Sequence, residues 1–274
     1  MASLVDTDWM AAHLDDPGVR LVEIDWDGLA AYEAGHIPRA IGWNWKAMLW
    51  DPLMRDFPSD AVFRERMESA GIGSDTTVVF YGAPVQFGTY AWWVLKHFDH
   101  KDVRMLDGGL VKWQAEGRLV TTDVPDVPRG VYATAPRRDE LRAGRDDVLE
   151  AIESGGPVIL DHRSIEEYSG QRVGLPGKPD TGAERYGRIP GARHVPFDTL
   201  LNEDTSFKPV EEIRAIIGAA AADPGQSVIS YCRLAHRATL AGFAMTELLG
   251  YRDVRIYDGS WTEWGSIVGV PIER

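Results

Sequence analysis

One cysteine occurs among the 274 residues, Cys232, and Arg233, Leu234, Ala235, His236 and Arg237 follow it. A thiolate is a strong nucleophile, and nearby cations together with backbone N–H groups favour it over the thiol. The residues before it, Ser227-Val228-Ile229-Ser230-Tyr231, form a short apolar run rich in β-branched side chains, which predicts a buried strand. Those after it, Leu240, Phe243, Ala244 and Leu248, recur at helical spacing. Cys232 is therefore expected on a strand-to-helix turn, where N–H groups converge and the helix dipole adds partial positive charge. An isolated cysteine is ordinarily a small buried hydrophobe, but an inert thiol has no need of Arg233, His236 and Arg237. The pattern predicts a nucleophile, Cys232, in an anion-binding loop whose residues 233–237 contact the substrate.

The elements that position this loop follow from size and repetition. The length suits two domains, each with its own core. With 44% hydrophobic and 26% charged residues the composition is that of an ordinary globular protein. A net charge of −13 argues against nucleic acid as a partner and makes the basic loop a local exception. A single cysteine allows no intramolecular disulfide, no signal peptide is visible in the acidic N-terminus, and no apolar run is long enough to span a membrane. These features predict a cytoplasmic protein without a membrane partner.

Three blocks recur in the same order. Thr77-Val78-Val79-Phe80-Tyr81-Gly82 matches Ser227-Val228-Ile229-Ser230-Tyr231-Cys232. Val103-Arg104-Met105-Leu106-Asp107-Gly108-Gly109 matches Val254-Arg255-Ile256-Tyr257-Asp258-Gly259-Ser260, and Gly35-His36-Ile37-Pro38-Arg39-Ala40 matches Gly187-Arg188-Ile189-Pro190-Gly191-Ala192. The chain therefore reads as a duplication. Each copy alternates strand signals (Val19–Ile24 and Val78–Tyr81; Val158–Leu160 and Val228–Tyr231) with helices. One helix is capped by Ser59 or Asp60, carries Val62, Phe63 and Met67, and stops near Gly71. Another starts at Pro209 and carries Ile213, Ile216 and Ile217. Such alternation predicts α/β domains, each a parallel sheet covered on both faces. The expected boundaries are 1–122 for the first domain, 123–138 for a Pro- and Gly-rich linker, and 139–274 for the second. Asp25 and Asp161 are expected to end matching strands. Residues 169–186, which include Gly170, Gly174, Pro176 and Gly182, form an insertion in the second copy that reads either as a lip over a cleft or as a surface loop. The first copy carries Gly82 where the second carries Cys232, and its loop, Ala83-Pro84-Val85-Gln86-Phe87, has no basic residue. It keeps the scaffold without the nucleophile.

Tyr231-Cys232-Arg233-Leu234-Ala235-His236-Arg237, the block Asp258-Gly259-Ser260-Trp261-Thr262-Glu263-Trp264 and Gly35-His36-Ile37-Pro38-Arg39-Ala40 together resemble the tandem-domain rhodaneses, a thiosulfate sulfurtransferase family. The likeness runs over nearly the whole chain. It implies two tandem rhodanese-like domains, each a small doubly wound parallel sheet flanked by helices, with turnover only in the C-terminal one. It also implies a cleft between the domains, with Trp43, Trp45 and Trp50 either forming a hydrophobic wall there or packing in the core. Trp261 and Trp264 are expected to pack structurally, and Arg163 of Asp161-His162-Arg163 to tie loops together. Two positions depart from the family pattern: Glu167 precedes Tyr168 where several rhodaneses carry an arginine, and Leu234 replaces a lysine. Arg233 and Arg237 are the expected substitutes.

The activity so implied is a double displacement. The Cys232 thiolate takes the outer sulfur of a small anionic donor, thiosulfate, and a nucleophilic acceptor, cyanide or a thiol, removes it from the persulfide, without metal or organic cofactor. Three alternatives are distinguishable. A cysteine phosphatase needs Cys-x5-Arg, whereas Arg237 stands at Cys-x4-Arg. A mercaptopyruvate sulfurtransferase has a different loop, Cys-Gly-Ser-Gly-Val. A non-enzymatic sulfur carrier or interaction module would not need the charged surroundings of Cys232.

Overall fold

Two five-stranded sheets organise the chain in a computed structural model that describes residues 3–175, 177–220 and 224–274. The first contains β1 (Leu4–Val5), β2 (Val19–Asp25), β3 (Ile41–Asn44), β4 (Thr77–Ala83) and β5 (Val103–Leu106), in the order β1-β5-β4-β2-β3. The second contains β6 (Arg142–Ala143), β7 (Val158–Asp161), β8 (Arg193–His194), β9 (Val228–Tyr231) and β10 (Val254–Tyr257), in the order β6-β10-β9-β7-β8. Among the described residues every strand pairing within the sheets is parallel. The central strands are apolar along their length because helices cover both faces; Val78, Val79 and Phe80 of β4 and Val228 and Ile229 of β9 are fully buried.

The chain divides into two compact units, one comprising Met1–Arg138 with Glu203–Phe207, the other Asp139–Asn202 with Lys208–Arg274. In the first, helix Asp60–Ser69 begins where Ser59 Oγ accepts the Val62 N–H, and it buries Phe63 and Met67 while Val62 faces solvent. In the second, helix Val210–Gly218 follows Pro209 and buries Ile213 and Ile217. Residues 121–138 lie along the first unit: Thr121 bridges to His36, the Gly130 N–H donates to the Glu68 carbonyl, and Arg129 and Arg137 pair with Glu65 and Asp60. Trp43 and Trp45 are core residues of that unit, Trp43 against Phe80 and Trp45 among Trp50, Phe87 and Tyr90. Among the described residues no helix is long and apolar enough to cross a membrane.

Strand register shows which residues of the two copies correspond. Tyr81 lies opposite Glu23, and its counterpart Tyr231 lies opposite Asp161. Although Asp25 and Asp161 each end their strands, Glu23 is the true equivalent of Asp161, and Asp25 falls level with Arg163. The reason is that β2 runs two residues further than β7. Asp161 has a guanidinium beside it; among the described residues Glu23 has none. Burial pushes the Glu23 carboxyl up to about 7, against partial relief from the Tyr81 hydroxyl and a further rise from the Asp25 charge. A carboxyl that protonates more readily folded than unfolded weakens the fold as pH climbs from about 4.5 to about 7. Glu23→Gln should therefore match the wild type near pH 4.5 and exceed it by up to about 3 kcal/mol at pH 8. Urea midpoints at the two pH values measure this; an equal difference at both would show that the charge is not the cause.

Candidate active site

In a doubly wound sheet, ligands bind at the carboxyl ends of two neighbouring strands whose connections leave in opposite directions. In the second unit those strands are β7, which leads to β8, and β9, which leads to β10. Cys232 is the first residue after β9, and His162 and Arg163 follow β7, so both loops singled out in the sequence flank the same crevice.

The Cys232 turn is held from behind. The Cys232 and Arg233 carbonyls accept the N–H groups of Trp261 (2.9 Å) and Thr262 (3.1 Å), and the Thr262 hydroxyl adds a second bond to Arg233 (2.8 Å). Ser260 Oγ accepts the N–H groups of Cys232 (3.2 Å) and Ala235 (3.1 Å) while donating to the Tyr257 carbonyl (2.8 Å). Ala235 adopts the left-handed conformation, φ 68°, which costs about 1–2 kcal/mol and persists because the bonds around it fix the turn. Helix His236–Phe243 then begins. The N–H groups of Arg233 and Leu234 have no acceptor among the described residues. They are unused donors at a helix start beside a thiol that is 1% exposed.

The basic residues separate into different roles. Arg237 is buried, and its fork is bidentate on Glu167, with Nη1 to Oε2 at 2.7 Å and Nη2 to Oε1 at 3.0 Å. Burial works to lower the Arg237 pKa, but the Glu167 bonds and the negative charges of Cys232 and Glu167 hold it above its ordinary value. Glu167, fully buried, also accepts the Ser164 N–H (3.0 Å), and Ser164 Oγ accepts the Glu167 N–H in return, closing a capping box on helix Ile165–Tyr168. The position that departs from the family pattern thus provides the partner of Arg237. Arg233 donates from Nη2 to the Thr181 carbonyl (3.0 Å), and its Nε is buried with no hydrogen-bond partner among the described residues. His236 opens the helix and is 5% exposed. Leu234 is half-buried and Ala235 fully buried.

Thr181 belongs to the 169–186 insertion, which is anchored rather than loose. Asp180 accepts the N–H groups of Val173 and Gly174, and Arg185 donates to the carbonyls of Trp264 (2.7 Å), Ile267 (2.6 Å) and Val270 (3.0 Å). Pro176 lies outside the described residues.

Arg163 ties loops together, as its motif implied. Its Nε and Nη2 hold Asp161 at 3.0 and 2.6 Å, Nη2 also donates to the Gly187 carbonyl (2.8 Å), and the guanidinium lies 4.3 Å over the Trp261 ring. Tyr231 donates its hydroxyl to the same Asp161 carboxylate. Burial opposes ionisation of Asp161, yet the Arg163 charge and bonds keep its pKa below the ordinary value. His162, bonded to the Val195 carbonyl and to Ser230 Oγ, is pushed down to about 4 by burial and is neutral at pH 7. Trp261 and Trp264 are fully buried and pack in the core.

The first unit lacks this machinery. A Cβ on Gly82 would lie 2.5 Å from the Gly88 nitrogen and 2.5 Å from the Pro84 oxygen, so the turn has closed over the space a side chain would occupy. The Ser260 position is Gly109. Ser260 was not singled out from the sequence. The contrast between Asp107-Gly108-Gly109 and Asp258-Gly259-Ser260 carried the signal, since the hydroxyl is present only in the copy that has the cysteine.

The rhodanese-like domain model matches residues 6–116 and 144–267. The chain is 45% identical over 275 residues to the sulfur carrier protein TtuD of Thermus thermophilus, covering 99% of this chain and 96% of that protein. It is 43% identical over 271 residues to a Mycobacterium tuberculosis protein provisionally named thiosulfate sulfurtransferase SseA, covering 98% and 90%. Among solved structures it is similar to SseA from Escherichia coli, described with the 3-mercaptopyruvate sulfotransferases, at TM-score 0.79 and 26% identity, covering 95% of this chain and 99% of that one. Two matches in tandem, over two parallel sheets of the same order, place this chain in the rhodanese family.

Proposed function

We propose that this sulfurtransferase moves the sulfane sulfur of thiosulfate to cyanide or a cellular thiol through a persulfide on Cys232. The observation that carries the reading is the Cys232 turn, pinned by Ser260 and Thr262 and presenting the unused N–H groups of Arg233 and Leu234. The thiolate attacks the outer sulfur, the donor's S–S bond breaks, its electron pair leaves with sulfite, and the new S–S bond makes the persulfide. The acceptor's lone pair then takes the terminal sulfur and returns the thiolate. The loop N–H groups stabilise the charge on the persulfide, and the chemistry needs no metal or organic cofactor. Catalysis belongs to the second domain; the first, closed over Gly82, has a structural role. The expected partners are small molecules, not nucleic acid or membrane, and the expected compartment is the cytoplasm.

Arg237, expected to meet the donor, has its fork on Glu167, which leaves Arg233, His236 and the loop N–H groups as the proposed donor contacts. The same pairing counts against a phosphatase, which needs that arginine for phosphate. The relatives named for sulfur carriage and for mercaptopyruvate keep two alternatives in view. A carrier would stop at the persulfide, and a mercaptopyruvate enzyme would ignore thiosulfate. Incubation with thiosulfate should add the mass of one sulfur to the Cys232 peptide and release an equivalent of sulfite, and cyanide should then remove the added mass as thiocyanate. Persulfide formation from mercaptopyruvate alone would overturn the choice of donor.

A further inference from the structure

We infer that Glu167 sets how strongly this site discriminates donors by charge, removing the advantage a dianion such as thiosulfate would otherwise hold and admitting singly charged sulfane donors of the organic thiosulfonate class. The inference rests on the sulfurtransferase reading and adds a specificity determinant to it. Three observations carry it. Arg237 is five residues from the nucleophile, and the Cys232 charge is among the causes that raise the Arg237 pKa. Both of its terminal nitrogens are held by one carboxylate, at 2.7 and 3.0 Å, in a pair from which water is excluded. Glu167 is itself fixed through the Ser164 capping box, so the carboxylate cannot swing away to release the guanidinium. A donor approaching Cys232 therefore meets a guanidinium whose charge is already balanced. A dianion beside a thiolate feels the carboxylate as well, and in a desolvated site that repulsion is weakly screened. A donor with one charge and an organic group loses less.

Glu167 is a positioning residue, so its test needs a readout that packing alone does not move. Thiosulfate and methanethiosulfonate present the same sulfane sulfur on a sulfonyl group and differ by one charge; the leaving groups are sulfite and methanesulfinate. The measured quantity is the ratio of their kcat/KM values with cyanide as acceptor. The wild type is expected to use methanethiosulfonate at least as well as thiosulfate. Glu167→Gln keeps an oxygen for the Ser164 N–H but removes the charge, and should shift the ratio toward thiosulfate by about tenfold, mostly through KM. The double variant Glu167→Leu/Arg237→Met removes both charges together and should restore the wild-type ratio within about twofold. If both donors fall in parallel in Glu167→Gln and the ratio does not move, the pair is only a brace and the inference fails. If neither donor leaves a persulfide on wild-type Cys232, the sulfurtransferase reading fails instead.

Discussion

Cys232→Ser is expected to abolish sulfur transfer, lowering the rate with thiosulfate and cyanide at least about a thousandfold, while the denaturation profile stays close to that of the wild type. A serine hydroxyl is scarcely ionised at neutral pH and is a far weaker nucleophile than a thiolate. No second thiol exists to take over, since Cys232 is the only cysteine in the chain. The fold should tolerate the change because oxygen is smaller than sulfur and the turn is held by main-chain bonds and by Ser260, none of which uses the cysteine side chain. Thiocyanate production measures the first expectation and urea denaturation the second. A serine variant that retains more than about a thousandth of the activity would remove Cys232 from the mechanism.

Arg163→Leu is expected to destabilise the second domain by about 3–5 kcal/mol at neutral pH, enough to threaten its folding. The change strands the fully buried Asp161 carboxylate without its counter-charge and takes the guanidinium off the Trp261 ring. Its pH dependence identifies the cause. In the wild type the Asp161 pKa lies below its ordinary value, so its contribution is present above about pH 4 and is lost as pH falls through the folded value. Without the Arg163 guanidinium, burial favours the neutral acid and only the bonds from the Tyr231 hydroxyl and the residue 163 N–H oppose it, so the deficit should shrink toward acid pH. Asp161→Asn/Arg163→Leu, which removes both charges of this pair, should recover most of the loss at pH 7. A deficit unchanged in the double variant would mean that lost packing, not the stranded charge, is responsible.

Much of this arrangement was legible before any coordinate. The strand-to-helix setting of the candidate nucleophile followed from a lone thiol between a β-branched run and a helical period, and the duplication from three ordered blocks. The absence of a cysteine from the first copy was visible as Gly82. Helix starts at Ser59 and Pro209 depend on local chemistry and emerged as expected. Asp25 and Asp161 do end matching strands, as expected, but residue identity alone does not give register. Asp25 and Asp161 share a residue type at the end of matching strands, yet the pairing to β4 and β9 shows that Glu23 is the counterpart. Ser260 was passed over because its role lies in accepting two N–H groups from a turn 25 and 28 residues away.

What the sequence determined by itself is the chemistry available: one thiol, its strand-to-helix setting, a second copy without it, and the cations nearby. These are covalent facts or local periodicities, and neither depends on how the chain closes. What the tertiary structure decided is the use of each cation. Arg163 serves Asp161, Arg237 serves Glu167 across 70 residues of chain, and Arg233 reaches the insertion at Thr181. An arginine is long, and when buried it must find an acceptor wherever the fold presents one. Its sequence neighbours show that a charge is present, and the packed structure decides which anion it meets.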